Sequence, residues 1–148
     1  MVIVHGLYGS GDNWVSIARE FEDQFEVYVV DQRNHGQSPH SDTHDYPSLG
    51  NDLCRFLDDR GIDRAVMIGH SMGGKAIMQF AKGCPDRVAS MIAVDIAPRA
   101  YHEMAAESRS APNHAGMIDA MLELDLSKVE SREDADRMLS TSIGSDRV

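Results

Sequence analysis

A three-layer α/β/α fold around a central parallel sheet of about four strands is what this sequence predicts, and three observations predict it. Four short apolar runs, at residues 1–4, 27–30, 64–68 and 88–94, lack polar alternation, as strands buried on both faces do. Stretches with apolar residues three and four apart separate them, which is the helical spacing. The connections are short, and a helix crossing between neighbouring strands leaves those strands parallel.

The first strand, Met1-Val2-Ile3-Val4, stops at His5-Gly6. Residues 5–13 hold three glycines and cap-type side chains and read as a loop. Trp14, Ile17, Ala18 and Phe21 then share one face of a helix. Val27-Tyr28-Val29-Val30 forms the second strand, and a polar loop follows over residues 32–47. Leu49, Leu53, Phe56 and Leu57 mark an amphipathic helix stopped by Gly61, the residue type that favours the position just past a helix end. The third strand runs from Arg64 to Ile68, and the helix beyond Ser71 extends to about Lys82, where Cys84-Pro85-Asp86 breaks it. The fourth strand closes at Asp95-Ile96-Ala97-Pro98. After this core of residues 1–98, residues 99–148 carry helical patterns only, with Met117, Ile118, Met121 and Leu122, then Ala135, Met138 and Leu139. That Met-rich, acidic stretch is predicted to be a helical cap or lid.

Bulk properties exclude several classes of function. Net charge is −10, from 24 acidic and 14 basic residues, and no basic cluster breaks it. Such a surface repels phosphate backbones and anionic membranes, so neither nucleic acid nor a membrane is expected as a partner. No apolar run reaches the length that spans a bilayer. Two cysteines, Cys54 and Cys84, are too few for a framework of bridges and lack metal-ligand spacing. A cytoplasmic enzyme fits these facts.

The chemistry concentrates at Gly69-His70-Ser71-Met72-Gly73-Gly74. This is G-x-S-x-G between a strand and a helix, the context in which a sharp turn lifts a serine hydroxyl above the end of a sheet. Ser71 is therefore the candidate nucleophile. An activated serine needs a base, and the base needs an orienting acid. Asp95 is the candidate acid, because it lies at the carboxyl end of the strand beside the one that carries Ser71. The oxyanion donors should be two backbone amides: Met72, which follows the nucleophile, and Leu7, in the loop after the first strand. A phosphate cradle is the rival reading of that loop, but it lacks both the Lys-Ser/Thr of a P-loop and the dinucleotide G-x-G-x-x-G. His5, His70 and His35 belong to turns and read as structural. His40 and His44 fall in a polar loop rather than on a metal-binding helix. His102 and His114, in the cap segment, are the candidates for the base.

At these residues the chain resembles the α/β-hydrolase superfamily, and within it the small serine esterases of the abhydrolase-domain type. The matching blocks are His5-Gly6-Leu7-Tyr8-Gly9-Ser10 with Asp12-Asn13-Trp14; Asp31-Gln32-Arg33-Asn34-His35-Gly36-Gln37-Ser38; Gly69-His70-Ser71-Met72-Gly73-Gly74-Lys75; and Val94-Asp95-Ile96-Ala97-Pro98 with Tyr101. The resemblance implies hydrolysis of carboxylic esters without cofactor or metal, with Ser71 as nucleophile and Leu7 and Met72 as oxyanion donors. Enzymes of this kind carry further strands before the His-Gly loop and beyond the cap, the last of which delivers the catalytic histidine. The chain is accordingly expected to be a fragment of a longer protein or a small variant completed by pairing of its exposed sheet edges in a homo-oligomer.

The function expected is a serine carboxylesterase cleaving small acyl esters through an acyl-enzyme on Ser71. Two other readings stand beside it. One is a non-catalytic oligomerising or binding module that keeps the fold; the other is a perhydrolase in which peroxide replaces water.

Overall fold

The computed structural model describes residues 1–99 and 114–143. The chain divides into two compact units, Met1–Arg99 and Ala100–Val148.

The first unit is built on four strands, β1 (Val2–Val4), β2 (Tyr28–Val30), β3 (Ala65–His70) and β4 (Val88–Val94), in the order β2-β1-β3-β4. Every pairing is parallel. Side chains alternate across β1 and β3 and so define two cores. Val2, Val4, Ala65 and Met67 meet α2 (Tyr46–Asp59) and α3 (Met72–Gly83) through Leu49, Leu53, Leu57, Ala76, Ile77 and Phe80. Ile3 and Ile68 face the other way, against Ala18 of α1 (Val15–Arg19) and the half-buried Trp14. Two helices therefore cover one face and one short helix the other, which is the three-layer arrangement the sequence predicts.

Three elements differ from expectation. The first helix is short: a 3-10 turn at Gly11–Trp14 precedes α1, and Ile17 and Phe21 do not join the core. The side chain of Asn13 accepts the Ser10 amide at 2.8 Å and closes this tight opening turn. The second helix starts earlier, inside the stretch expected to be loop. Asp45 caps it by accepting the Ser48 amide at 2.8 Å, and Pro47 sits in the first turn, where its missing N–H costs nothing. Strand β4 is not buried on both faces, because it lies at the edge of the sheet. Met91 and Ile92 there are 43% and 50% exposed.

The two cysteines are joined to each other. Cys54 of α2 and Cys84, just past α3, form a disulfide across 30 residues of sequence. In the second unit, α4 (His114–Leu122) and α5 (Arg132–Ile143) flank a 3-10 turn at Leu126–Lys128, whose Asp125 caps it through the Ser127 amide. No helix among the described residues is long and apolar enough to cross a membrane.

Candidate active site

Ser71 is the single residue between β3 and α3, with φ 50° and ψ −115°. A serine gains nothing from that left-handed backbone, and residues held so cost of order 1–3 kcal/mol. Packing imposes it. A Cβ at Gly73 would overlap the carbonyl oxygens of Val4 and His5, and one at Gly69 would overlap the Gly73 carbonyl. Helix α3 can thus enter directly beneath the strand ends only with glycine at both positions, and Ser71 takes up the turn between them.

The elbow is also tied to β4. The Ser71 amide donates to the Val94 carbonyl at 3.0 Å, one rung beyond the His70–Val94 register pair. Asp95 follows Val94 immediately and is itself left-handed, with φ 53°. Ser71 and Asp95 therefore occupy neighbouring strand tips, both with positive φ, and the Ser71 amide is bonded to the carbonyl of the residue that precedes Asp95. Asp95 is exposed.

Leu7 lies in the loop after β1, and that loop passes directly over the elbow. A Cβ on Gly6 would stand 2.9 Å from His70 Nδ1 and 3.3 Å from Ser71 Cβ. The loop is held by His5, which is fully buried. The Gln32 amide donates to His5 Nε2 at 3.1 Å, so the ring proton must sit on Nδ1. From there it donates to the Gly6 carbonyl at 2.7 Å, which also accepts the Gly9 amide at 3.1 Å. Because the peptide is planar and trans, fixing the Gly6 carbonyl fixes the opposed Leu7 N–H. Gln32 returns the bond from its side-chain amide to the His5 carbonyl at 2.7 Å. Among the described residues the Leu7 amide meets no acceptor. Met72, as the first residue of α3, has no intrahelical acceptor either, and stands at the positive end of the helix dipole.

A second layer fixes the first. Asp31 accepts the Gly11 amide at 2.7 Å and the Gln37 amide at 2.9 Å, and these bonds hold its carboxyl below the usual carboxylate range. Burial lowers the pKa of His5, outweighing the Gly6 carbonyl and the Asp31 carboxylate, which favour the charged form. His35 donates from Nδ1 to the Arg33 carbonyl at 3.0 Å and accepts the Tyr8 amide on Nε2 at 3.4 Å. Arg33 grips Asp52 of α2 with two bonds of 2.6 and 2.7 Å. Sequence reasoning reads His5 as a turn residue and gives Gln32 and Asp31 no role. The available signal was three polar residues, His5, Asp31 and Gln32, set immediately after two apolar strands that turn out to be neighbours.

No histidine among the described residues is hydrogen-bonded to Ser71 or Asp95. His102 lies outside the described residues, and His114 is the first residue of α4, in the second unit. Beside the loop after β1 is a cavity of about 440 Å³ lined by Gly6, Leu7, Tyr8, Trp14, Ile17 and His70, among others. A larger hollow of about 530 Å³ lies between β2 and α2 and includes none of the candidate site residues. Among the described residues no group of three or more His, Cys, Asp or Glu is placed to hold a metal.

Comparison with known proteins places this geometry in context. A family profile described as "alpha/beta hydrolase fold" matches residues 1–145. The chain is 46% identical over 102 residues to the esterase YbfF of Escherichia coli, covering 69% of this chain and 40% of that protein. It is 37% identical over 146 residues to the sn-1-specific diacylglycerol lipase ABHD11 of Xenopus tropicalis, covering 97% of this chain and 44% of that protein. Among solved structures, a marine microorganism esterase superposes with a TM-score of 0.81 at 44% identity, over 97% of this chain and 54% of that one. The chain spans about half the length, or less, of the curated relatives it matches.

Proposed function

The chain belongs to the alpha/beta hydrolase fold family, and on that premise we propose that it carries the nucleophile, oxyanion and acid elements of a serine carboxylesterase acting on small acyl esters. The observation that carries the reading is the backbone of Ser71, held at φ 50° between a strand end and a helix N-terminus. Strain of this kind persists only where surrounding structure over-determines it, and here it presents a hydroxyl at the carboxyl edge of the sheet.

In the proposed reaction a histidine takes the proton from Ser71 Oγ as the oxygen adds to the ester carbonyl. Within this chain His102 and His114 are the candidates, and Asp95 orients the ring. The tetrahedral oxyanion rests on the Leu7 and Met72 amides, which need no reorganisation to receive it. The histidine returns its proton to the departing alcohol, and an acyl-Ser71 ester remains. Water then attacks that ester with the histidine again as base, releasing the acid and restoring Ser71. No cofactor enters. The esterase and lipase names of the relatives support the reaction class.

A fluorophosphonate, which phosphonylates activated serines, tests the reading together with hydrolysis of short-chain p-nitrophenyl esters. Labelling is expected in the wild type and absent in Ser71→Ala, whose ester turnover should fall by roughly a thousandfold or more. A pure, folded chain that neither labels nor hydrolyses would sink the esterase reading in favour of a non-catalytic module.

A further inference from the structure

We propose that Lys75 is a positioning residue that fixes Asp95 relative to Ser71. The inference rests on the reading of Asp95 as the acid that orients the base. Asp95 opens the turn after β4 with a left-handed backbone, which aspartate tolerates better than most side chains, so contacts along the turn decide how firmly it is held. Lys75, half-buried in the first turn of α3, donates from Nζ to the Arg99 carbonyl, at the end of the same turn. Its backbone amide donates to the Ser71 carbonyl at 3.2 Å. One residue thus touches the nucleophile with its main chain and the segment beyond Asp95 with its side chain.

Two neighbours complete the arrangement. Ile96 packs so closely on α3 that a Cβ at Gly74 would overlap its side chain. The Lys75 ammonium also lies 5.9 Å from the centre of the Tyr46 ring, at the start of α2, which confines the side chain on that flank. Ser71, Val94, Asp95, Arg99 and Lys75 therefore form a closed circuit: amide to carbonyl across the strand tips, along the turn, and back through the ammonium. Cutting it at Lys75 leaves the Ser71–Val94 bond intact but frees the Asp95 turn. Because Asp95 would act by orienting a base, the loss should fall on kcat and leave KM unchanged.

The test compares Lys75→Met, which keeps the stem and loses the donor, with Lys75→Arg, which restores a donor. Hydrogen–deuterium exchange over residues 94–99 of the whole chain is expected to quicken several-fold in Lys75→Met, with β1 and α2 unchanged, and to recover in Lys75→Arg. Fluorophosphonate labelling of Ser71 should slow by roughly tenfold in Lys75→Met, with partial recovery in Lys75→Arg. Lys75→Gln, too short to span the gap, gives the same reading if Lys75→Met does not fold. Wild-type exchange and labelling rates in Lys75→Met would overturn the proposal. A wild type whose Ser71 does not label breaks the esterase reading instead, and the exchange measurement still decides whether Lys75 holds the turn.

Discussion

His5 carries an unusual share of the organisation around the elbow. Its ring accepts from Gln32 on one side and donates to Gly6 on the other, so its neutral tautomer sets the direction of the Leu7 amide. His5→Phe, which fills the same space without either bond, should strand the buried Gln32 amide and cost about 1–3 kcal/mol of stability by denaturant titration. The effect has a pH signature. Burial lowers the pKa of His5 from its ordinary 6.5, so the unfolded chain binds the proton more readily than the folded one. The stability contributed is complete above about 6.5 and declines as pH falls towards the lowered folded value. Asp31, also depressed, adds a second loss of the same sign as pH falls below its ordinary 3.8. Melting temperatures measured from pH 8 to pH 3 should therefore fall on acidification, and the part near pH 6 should vanish in His5→Phe.

At the scale of elements, α2 and α3 decide whether the elbow has a floor. They cross at Gly50, where a Cβ would lie 2.9 Å from the Phe80 amide nitrogen. Alanine is the better helix former by roughly 1 kcal/mol, yet Gly50→Ala should lower the melting temperature because the helices must separate to admit the methyl group. The start of α2 is a separate lever: Asp45→Ala removes its cap and should cost about 1 kcal/mol in chemical denaturation. These elements also show what could be read from residue order. Apolar runs without alternation and the G-x-S-x-G between strand and helix sufficed for the parallel sheet, the order of elements and the place of Ser71. The capped opening of α2 was written plainly in Asp45-Tyr46-Pro47-Ser48 but hidden by the polar residues before it. The length of α1 was not legible, since Ile17 and Phe21 have helical spacing, yet Ile17 stays exposed and Phe21, half-buried, lies beyond the helix end and outside the core. The contacts of His5, Gln32 and Lys75 were illegible for another reason: each joins segments about 24 to 27 residues apart, and spacing says nothing of which loops meet.

For the molecule as a whole, the Cys54–Cys84 bridge closes a loop that contains β3, Ser71 and all of α3. Constraining 30 residues in the unfolded chain is worth about 3.6 kcal/mol in the loop-entropy account. A reductant should lower the melting temperature, and Cys54→Ser should reproduce the shift and abolish any further response to reductant. Such a bridge persists in oxidising surroundings and opens in reducing ones, so the melting transition follows the redox state of the solution.

The exposed edge at β4 has a consequence of its own. Parallel ladders are cooperative, and the last rung of this one is the bond from the Ser71 amide to Val94. Fraying of β4 away from β3 would therefore break a bond that ties the serine backbone to the neighbouring strand. A strand paired along the outer side of β4 would restrain that fraying. The rim of the sheet thus carries one of the ties on the Ser71 backbone, beside the packing at Gly69 and Gly73 that shapes it.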